Sequence, residues 1–569
     1  MTKDQIAAAL REIGTILELK GENPFKCRAY LNAARTLETA PADLADLVRS
    51  DRLGELPGIG EALREKITTL VTTGQLPYLD ELRASIPPGL LALLDLPGLG
   101  PKKLRALRDK LKIESLETLT AACQDGTLAS LEGFGEKTAT NLLEAIARRA
   151  TYSKFHRLGN ALPAAQTLLA HLRKCPAVQK AEIGGSLRRG KEIVKDLDLI
   201  ATSTQPKEVM QAFVTAPSVE KIIAHGETKS SVILAGGIPC DLRVIPPEAW
   251  ATALAHFTGS KEHNIALRQR AIDQGLHLSE WGLFKGSSKI PIKLKDEKDL
   301  HKALGLSFIP PELREDSGEI AAAEKDALPD LITRDEIRGC LHNHTIASDG
   351  RNTLEAMAQA ATDLGLEWFG IADHSKSSFQ AHGLDENRLL AQIEEIRAYN
   401  RQKPKCTLLA GTECDILKGG KLDFPDSLLS KLDYVIASVH AGFSSNENEM
   451  TDRIIRAMEN PHVTCLGHAT GRLLLDREPY PVNIPKILEA AAATGTWIEL
   501  NANPWRLDLD WRWWHKARDL GVLCSINPDA HKTSHLRYLD LGVTIARKGW
   551  LRPQDVVNTR PLAALRKLL

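Results

Sequence analysis

Over the first 50 residues apolar side chains return at helical spacing. Ile6, Leu10, Ile13, Ile16 and Leu17 fall on one face, which predicts an amphipathic helix at the head of a helical region. Between 151 and 320 the pattern shifts. Apolar-rich runs at 181–185, 196–202, 231–235 and 240–245 read as strands, and helical runs such as 161–174 and 206–214 lie between them. That alternation suits a mixed sheet with helices on one face. From 339 onward, apolar runs at Trp368–Ile371, Thr407–Ala410, Tyr434–Ala437, Val463–Leu466 and Val522–Ile526 alternate with helical stretches. A ligand-type residue follows each run within three positions, the pattern of parallel strands in a (β/α) barrel. The chain therefore reads as multidomain α/β.

Composition narrows the setting. A length of 569 residues with 43% hydrophobic content predicts several domains with real cores. No apolar run reaches the length of a membrane span, and the charged start at Met1-Thr2-Lys3-Asp4 opens an amphipathic helix rather than a signal peptide. The nine cysteines are scattered without a C-x-x-C pair, which points to a reducing cytoplasm and no disulfide framework. Basic and acidic residues balance at 73 each, so only local clusters can speak for nucleic-acid binding.

The most informative stretch is Gly184-Gly185-Ser186-Leu187-Arg188-Arg189-Gly190, followed by the strand that carries Asp196 and Asp198. It reads as a tight Gly-Ser turn, a basic loop and a strand. Residues two apart on a strand face the same way, so Asp196 and Asp198 present paired carboxylates while Leu197 and Leu199 pack behind them. Paired carboxylates suit Mg²⁺, and the basic turn offers backbone N–H groups and arginines to phosphate oxygens. The layout fits metal-dependent phosphoryl transfer. It resembles the family X DNA polymerases, in which a Gly-Ser turn (Gly185-Ser186 here) precedes an Asp-x-Asp strand.

Upstream, Leu56-Pro57-Gly58-Ile59-Gly60 joins two helical runs, and the pattern recurs at Leu96-Pro97-Gly98-Leu99-Gly100 and at Leu131-Glu132-Gly133-Phe134-Gly135. A Gly-x-Gly turn that opens a helix offers backbone N–H groups to a phosphate. Three copies within about 80 residues resemble helix-hairpin-helix elements, which grip the sugar-phosphate backbone without reading sequence. Residues 101–112 add six basic side chains, Lys102 and Lys103 among them, against one acid, Asp109. In the family, the helix after the first hairpin carries a Schiff-base lysine for abasic-site sugars. The match outward from Gly58 and Gly60 places it at Lys66, which implies deoxyribose-phosphate lyase activity. Ala62 stands where some relatives have another lysine.

The resemblance extends downstream. Asp241 alternates with apolar residues in Cys240-Asp241-Leu242-Arg243-Val244-Ile245 and fits a neighbouring strand as the third carboxylate. Gly226-Glu227-Thr228-Lys229 matches a further family segment. His256-Phe257-Thr258-Gly259-Ser260 matches the segment that lies against the incoming sugar, with Asn264 reaching the base and Arg268 the template. Two positions depart from the family: His256 stands for a Tyr that helps exclude ribonucleotides, and Pro239 for an Arg that organises the carboxylates.

The last 230 or so residues carry a different chemistry. His342 and His344 share one face after a short strand, and Asp349 follows. Successive strand ends then bear His374, Glu413, His440, His468, and Asp529 with His531. The order resembles the PHP family of metal-dependent phosphoesterases, whose ligands carry over to these nine residues. Nine nitrogen and oxygen ligands suffice for up to three ions, and imidazole-rich sites suit Zn²⁺ or Mn²⁺. Cys340 stands where an Asp often precedes the His-x-His pair.

The domains expected are a lyase-like helical domain at 1–85, tandem helix-hairpin-helix elements at 86–150, a nucleotidyltransferase-type palm at 151–250 and a nucleotide-selection, thumb-type subdomain at 251–318. A linker at 319–338 and a distorted (β/α) PHP barrel at 339–569 complete the chain. The resemblance implies a cytoplasmic, monomeric repair polymerase that fills short gaps in gapped or nicked DNA from deoxynucleoside triphosphates. Asp196, Asp198 and Asp241 would hold Mg²⁺ or Mn²⁺, with Gly185, Ser186, Arg189, Phe257, Thr258, Gly259, Asn264 and Arg268 around the nucleotide. The PHP half would be a 3′-5′ exonuclease, an abasic-site endonuclease or a 3′-phosphatase, with a ligand set independent of the first half. Two rival readings are a non-polymerising DNA-end nuclease and a small-molecule nucleotidyltransferase fused to a phosphatase; the three hairpins speak against the second.

Overall fold

A computed structural model of the chain describes residues 1–39, 44–96 and 98–569. It falls into two compact units, Met1–Ser153 and Lys154–Leu569.

The first unit is helical. Its opening helix, Lys3–Lys20, is capped by Thr2 through a reciprocal capping box with Gln5 and stops at Gly21 in the left-handed conformation. Ile6, Leu10, Ile13, Ile16 and Leu17 are all buried, as their spacing predicts. The helix pairs with Pro24–Thr39, and these two share one core with residues up to Ile86. A second core, Leu19 with apolar residues from Leu90 to Ala145, underlies the other two hairpins. Pro97 of the middle hairpin lies outside the described residues.

The second unit opens on a five-stranded mixed sheet. Its strands are β1 (Lys180–Ile183), β2 (Leu197–Thr202), β3 (Val219–His225), β4 (Lys229–Leu234) and β5 (Ile238–Ile245), in spatial order β1-β2-β5-β4-β3. Only the central β2–β5 pair is parallel. β5 alternates buried and half-buried positions, the pattern of a sheet with one packed face, and the helices Leu158–Leu172 and Pro206–Val214 cover that face. The edge strand β3 was not legible in the sequence because it does not alternate: from Glu220 to His225 every residue is exposed.

Helices Trp250–Thr258, Lys261–Asp273 and Glu297–Ala303 and the hairpin Leu276–Ser279/Gly282–Lys285 follow. The stretch 319–338, expected as a linker, is packed structure. It contains the helix Glu319–Glu324 and sends Ala323 and Leu331 into one core with Leu267, Leu283, Leu300 and, from near the end of the chain, Trp550. The acidic, Ala-rich surface of the stretch hid these apolar positions. Ile332 also donates its N–H to Leu551 O at 3.1 Å.

The remaining strands form a seven-stranded parallel sheet in sequence order: β6 (Gly339–Cys340), β7 (Trp368–Ile371), β8 (Thr407–Asp415), β9 (Tyr434–Ser438), β10 (Cys465–Leu466), β11 (Trp497–Asn501) and β12 (Cys524–Asn527). Beyond β6 and β12 the chain almost closes the ring, with His344 N–H on Ala530 O and Ala530 N–H on His342 O. β7 and β9 to β12 are buried along their whole length, as expected of strands covered on both faces.

Candidate active sites

Three turns of the helical unit repeat one geometry. Gly58, Gly98 and Gly133 take φ of +78°, +82° and +87°. The residues between the glycines, Ile59, Leu99 and Phe134, are buried and donate their N–H groups to Leu56, Leu96 and Leu131 carbonyls. Gly60, Gly100 and Gly135 then cap the helices Glu61–Thr73, Pro101–Leu111 and Glu136–Tyr152 in extended backbone. A Cβ at any of these six glycines would meet nothing within 4 Å. The fold thus gives no packing reason for glycine at the three caps, whereas close approach of a ligand to the free helix N–H groups does. Lys102 and Lys103 are exposed beside the middle turn. Lys66 is half-buried, with its Nζ 3.2 Å from Ala62 O and 5.0 Å from the Tyr78 ring centroid.

In the palm, strand pairing sets Asp198 directly opposite Asp241, and Asp196 lies just before β2. Burial, then the nearness of Asp196 and Asp241, pushes the Asp198 carboxyl up to about 6. Lys229 Nζ stands 2.8 Å from Asp241 Oδ2 and supplies a cation beside the carboxylates, where Pro239 cannot. The Gly-Ser turn abuts this group: Gly184 donates to Asp198 O at 2.7 Å, and a side chain at Gly185 would collide with the Asp198 carboxylate. The residues after the turn form one helical turn, Gly185–Arg188, which leaves Ser186 half-exposed.

The basic loop is anchored to the thumb-type subdomain. Arg188 reaches Thr258 Oγ1 at 2.7 Å and clasps Glu297 through two hydrogen bonds, and fully buried Arg314 takes the same carboxylate at 2.6 Å. Burial would raise the Glu297 carboxyl, but Arg314 and Arg188 hold it down to about 2. Arg189 bonds Thr258 O and Glu315 Oε1. Phe257 stacks under Arg243, and Gly259 ends its helix at φ +70°. Asn264 and Arg268 both reach His256, Asn264 at its carbonyl (2.7 Å) and Arg268 at Nδ1 (3.0 Å).

All nine ligand-type residues of the second half gather at one end of the parallel sheet. Glu413 sits at the centre. Its Oε2 is 3.2 Å from His342 Nε2 and 2.9 Å from His374 Nδ1, and its Oε1 is 3.2 Å from His440 Nε2 and 2.8 Å from His468 Nε2. Asp529 Oδ1 lies 3.3 Å from His344 Nε2, and Asp349 Oδ2 lies 3.3 Å from His531 Nε2. Three overlapping groups could each hold an ion: His344, Asp349, His374 and His531; His342, His344 and Asp529; His374, Glu413 and His440.

The donor set fits metal ions. His342 Nε2, both His344 nitrogens and His374 Nδ1 are buried without a well-formed hydrogen bond, an arrangement that costs free energy unless a ligand uses the lone pairs. Burial disfavours a charged His342, but Glu499, Glu413 and Asp529 hold its imidazole well above its ordinary range. Burial likewise opposes an ionised Glu413, and His342, His440 and His374 hold its carboxyl well below the usual range.

Comparison with known proteins agrees with both halves. A helix-hairpin-helix domain model matches residues 1–76, a SAM-like helix-hairpin-helix tandem 90–148, the DNA polymerase beta thumb 253–315, and the PHP domain 341–503. The DNA polymerase/3′-5′ exonuclease PolX of Bacillus subtilis (strain 168) is 38% identical over 564 residues, 99% of this chain and 98% of that protein. The chain belongs to the family X DNA polymerases with a C-terminal PHP domain. The PHP part of this polymerase also resembles free-standing proteins. A probable phosphatase of Thermoanaerobacter sp. (strain X514) is 29% identical over 230 residues, 38% of this chain and 89% of that protein. One of Acetivibrio thermocellus is 33% identical over 164 residues, 28% and 63% of the two chains. No helix among the described residues of the polymerase is long and apolar enough to cross a membrane.

Residues that the sequence alone did not single out complete the PHP site of this family X polymerase. Glu499, fully buried in β11, accepts from His342 Nδ1 at 2.6 Å and from His468 N–H at 2.7 Å. Asp415 holds His440 Nδ1 at 2.8 Å. Asp373 accepts from Thr345 N–H and Oγ1, which ties down the loop after His344. Arg506 stands 3.5 Å from Asp529 with a buried Nη1 free of hydrogen bonds. Strand β11 was missed because no ligand-type residue follows it; the signal was an acid inside the apolar run Trp497-Ile498-Glu499-Leu500-Asn501.

The palm and the PHP domain also touch. Arg472 bridges Glu192 and Asp510, and Arg157 stacks 3.4 Å from the Trp505 ring centroid. The two ligand sets share no residue, although the halves that carry them are in contact.

Proposed function

We propose that Asp196, Asp198 and Asp241 hold two Mg²⁺ or Mn²⁺ ions and direct the addition of deoxynucleotides to a 3′-hydroxyl in short gaps. The single observation behind this reading is the cross-strand pairing of Asp198 with Asp241 beside the Gly-Ser turn. Ser186 and Arg189 face the triphosphate, Phe257, Thr258 and Gly259 bound the sugar side, and Asn264 and Arg268 turn from His256 to the base and the template. The helix caps at Gly60, Gly100 and Gly135 hold the DNA backbone, and Lys66 is the lysine that the family match assigns to lyase chemistry. The monomer works in the cytoplasm on gapped or nicked DNA.

The PHP domain hydrolyses phosphodiesters at DNA 3′ ends. His342, His344, Asp349, His374, Glu413, His440, His468, Asp529 and His531 hold up to three Zn²⁺ or Mn²⁺ ions. Bound divalent ions would supply charge neutralisation at both sites, and would favour the primer 3′-hydroxyl as nucleophile at the three Asp residues and water as nucleophile in the PHP domain. Glu499 and Asp415 orient the imidazoles of His342 and His440, and Arg506 offers its spare N–H groups to a phosphate oxygen.

One gapped, end-labelled substrate tests the assignment. Asp198→Ala is expected to lose extension by at least about 10²-fold, as when a key electrostatic group is removed, while degradation persists. His344→Ala is expected to show the reverse. Degradation that persists in His344→Ala and disappears in Asp198→Ala would overturn the assignment.

A further inference from the structure

The loop 185–190 is held from behind by the PHP domain. The helix Leu539–Lys548 runs against it so closely that a Cβ at Gly190 (φ +66°) would lie 2.6 Å from the Thr544 methyl group. At the end of that helix Lys548 is fully buried. A buried ammonium is costly unless its three donors are used, and Lys548 uses three. Its Nζ lies 3.0 Å from Arg189 O, 3.4 Å from Glu312 O and 2.7 Å from Glu315 Oε1. The ring of Trp511, also from the PHP domain, lies 4.6 Å from Nζ.

Glu315 is the shared point. It accepts from Arg189 Nε at 3.0 Å and pairs with Lys191 at 3.3 Å, so one cation of the loop, the lysine just after it and one cation of the PHP domain meet on one buried carboxylate. Arg189 extends from there to Thr258 O. Lys548 therefore fixes the loop twice, by the main chain at Arg189 O and by its side chain through Glu315. One bond further on lies Thr258-Gly259, the segment proposed to bound the sugar. A residue needed only to join two domains would not have to converge on the one loop proposed to hold the nucleotide.

We propose that the PHP helix Leu539–Lys548 is a working part of the polymerase's nucleotide site, with Lys548 as the positioning residue for Ser186 and Arg189. The inference rests on the assignment of loop 185–190 to the triphosphate. Lys548 touches no reacting atom. It acts by holding the loop in the conformation that receives the phosphates, so its loss falls on nucleotide affinity before it falls on the chemical step.

The test is single-nucleotide gap filling by the full chain, with KM for the deoxynucleoside triphosphate and kcat measured separately. Lys548→Met is expected to raise KM about tenfold, the scale of a small misplacement of a binding group, with kcat changed far less. DNA affinity and hydrolysis of bis(p-nitrophenyl) phosphate are expected to stay at the level of the parent, while the thermal midpoint falls because a buried ion pair is broken. Lys548→Arg, which keeps the charge, is expected to recover part of the loss. If Lys548→Met does not fold, Lys548→Gln retains a donor for Arg189 O and carries the same expectation. Ser186→Ala separates the two levels of the argument. A raised KM in Ser186→Ala with an unchanged KM in folded Lys548→Met overturns the role of Lys548 alone, whereas an unchanged KM in Ser186→Ala overturns the loop assignment beneath it. Parallel losses of kcat, DNA affinity and hydrolysis in Lys548→Met would reduce Lys548 to a structural bolt and overturn the proposal.

Discussion

Glu499 reaches no solvent, yet the orientation of the central metal-type imidazole depends on it. Its carboxylate is spent on His342, the His468 N–H, and the side-chain amides of Asn501 and Asn527. Glu499→Gln keeps the shape and removes the charge that fixes the His342 tautomer. Metal affinity and phosphodiester hydrolysis are expected to fall about 10–100-fold, with primer extension unchanged. Metal content after dialysis, together with extension and hydrolysis on one substrate, checks this. At this scale the sequence was readable where a ligand-type residue closes an apolar run, as at His374 and His440. It was silent where the acid lies inside a strand and serves another side chain, as at Glu499 and Asp415. What such a residue touches lies on another strand, 25 positions away for Asp415 and 157 for the His342 contact of Glu499, and local spacing carries no trace of that.

Two elements carry predictions of their own. Gly60 and Gly100 have negative φ and open space at the Cβ position, so the fold tolerates alanine at either. Gly60→Ala and Gly100→Ala are expected to leave the thermal midpoint in place while DNA affinity falls several-fold, because the methyl group meets the phosphate backbone instead of the protein. A drop in midpoint with unchanged affinity would return these glycines to a packing role. The thumb-type subdomain is expected to be acid-sensitive. His301 is buried, and burial, then Arg314, pushes its imidazole down from 6.5 to about 3. Glu297 is held at about 2 against an ordinary 4.5. Below 6.5, and again below 4.5, the unfolded chain takes up protons that the folded form refuses, so stability falls as pH falls through both windows. Calorimetry at pH 7, 5.5 and 4 should show a declining midpoint, and a flat profile would contradict the buried neutral His301. The three hairpins were legible as elements because their turn chemistry is local. The edge strand β3 and the packed stretch 319–338 were not, because one lacks alternation and the other finds its apolar partners on separate elements, from Leu267 upstream to Trp550 more than 200 residues further on.

For the whole molecule, the two catalytic halves were legible as separate ligand sets, and their coupling was not. From the sequence, removing residues 339–569 should spare primer extension. The structure attaches a cost to that cut. The cut would take away Lys548 behind the nucleotide loop, Leu551 bonded to Ile332, and Trp550 from the core that holds Leu267 and Leu300. A chain ending at 338 is therefore expected to be poorly folded in its thumb-type subdomain and to extend primers far less well than full-length His344→Ala, which loses only a ligand. Primer extension by the two proteins at equal concentration decides this; equal rates would restore the independence of the halves.

Trp550 also sets an order of events during synthesis. The thumb's own sequence is complete at Glu315, but its core is not, because the tryptophan that fills it leaves the ribosome about 235 residues later. At translation rates of roughly 5–20 residues per second, that is a wait of about 12–47 s. Through this interval the nascent polymerase holds an unfinished thumb and an unbraced nucleotide loop. Both are completed by the same short stretch, Lys548 to Leu551, which emerges only after every PHP ligand has been made. The PHP barrel closes no earlier, because Val557 and Leu565 of its core emerge later still, so the two halves of the polymerase mature together and not in turn.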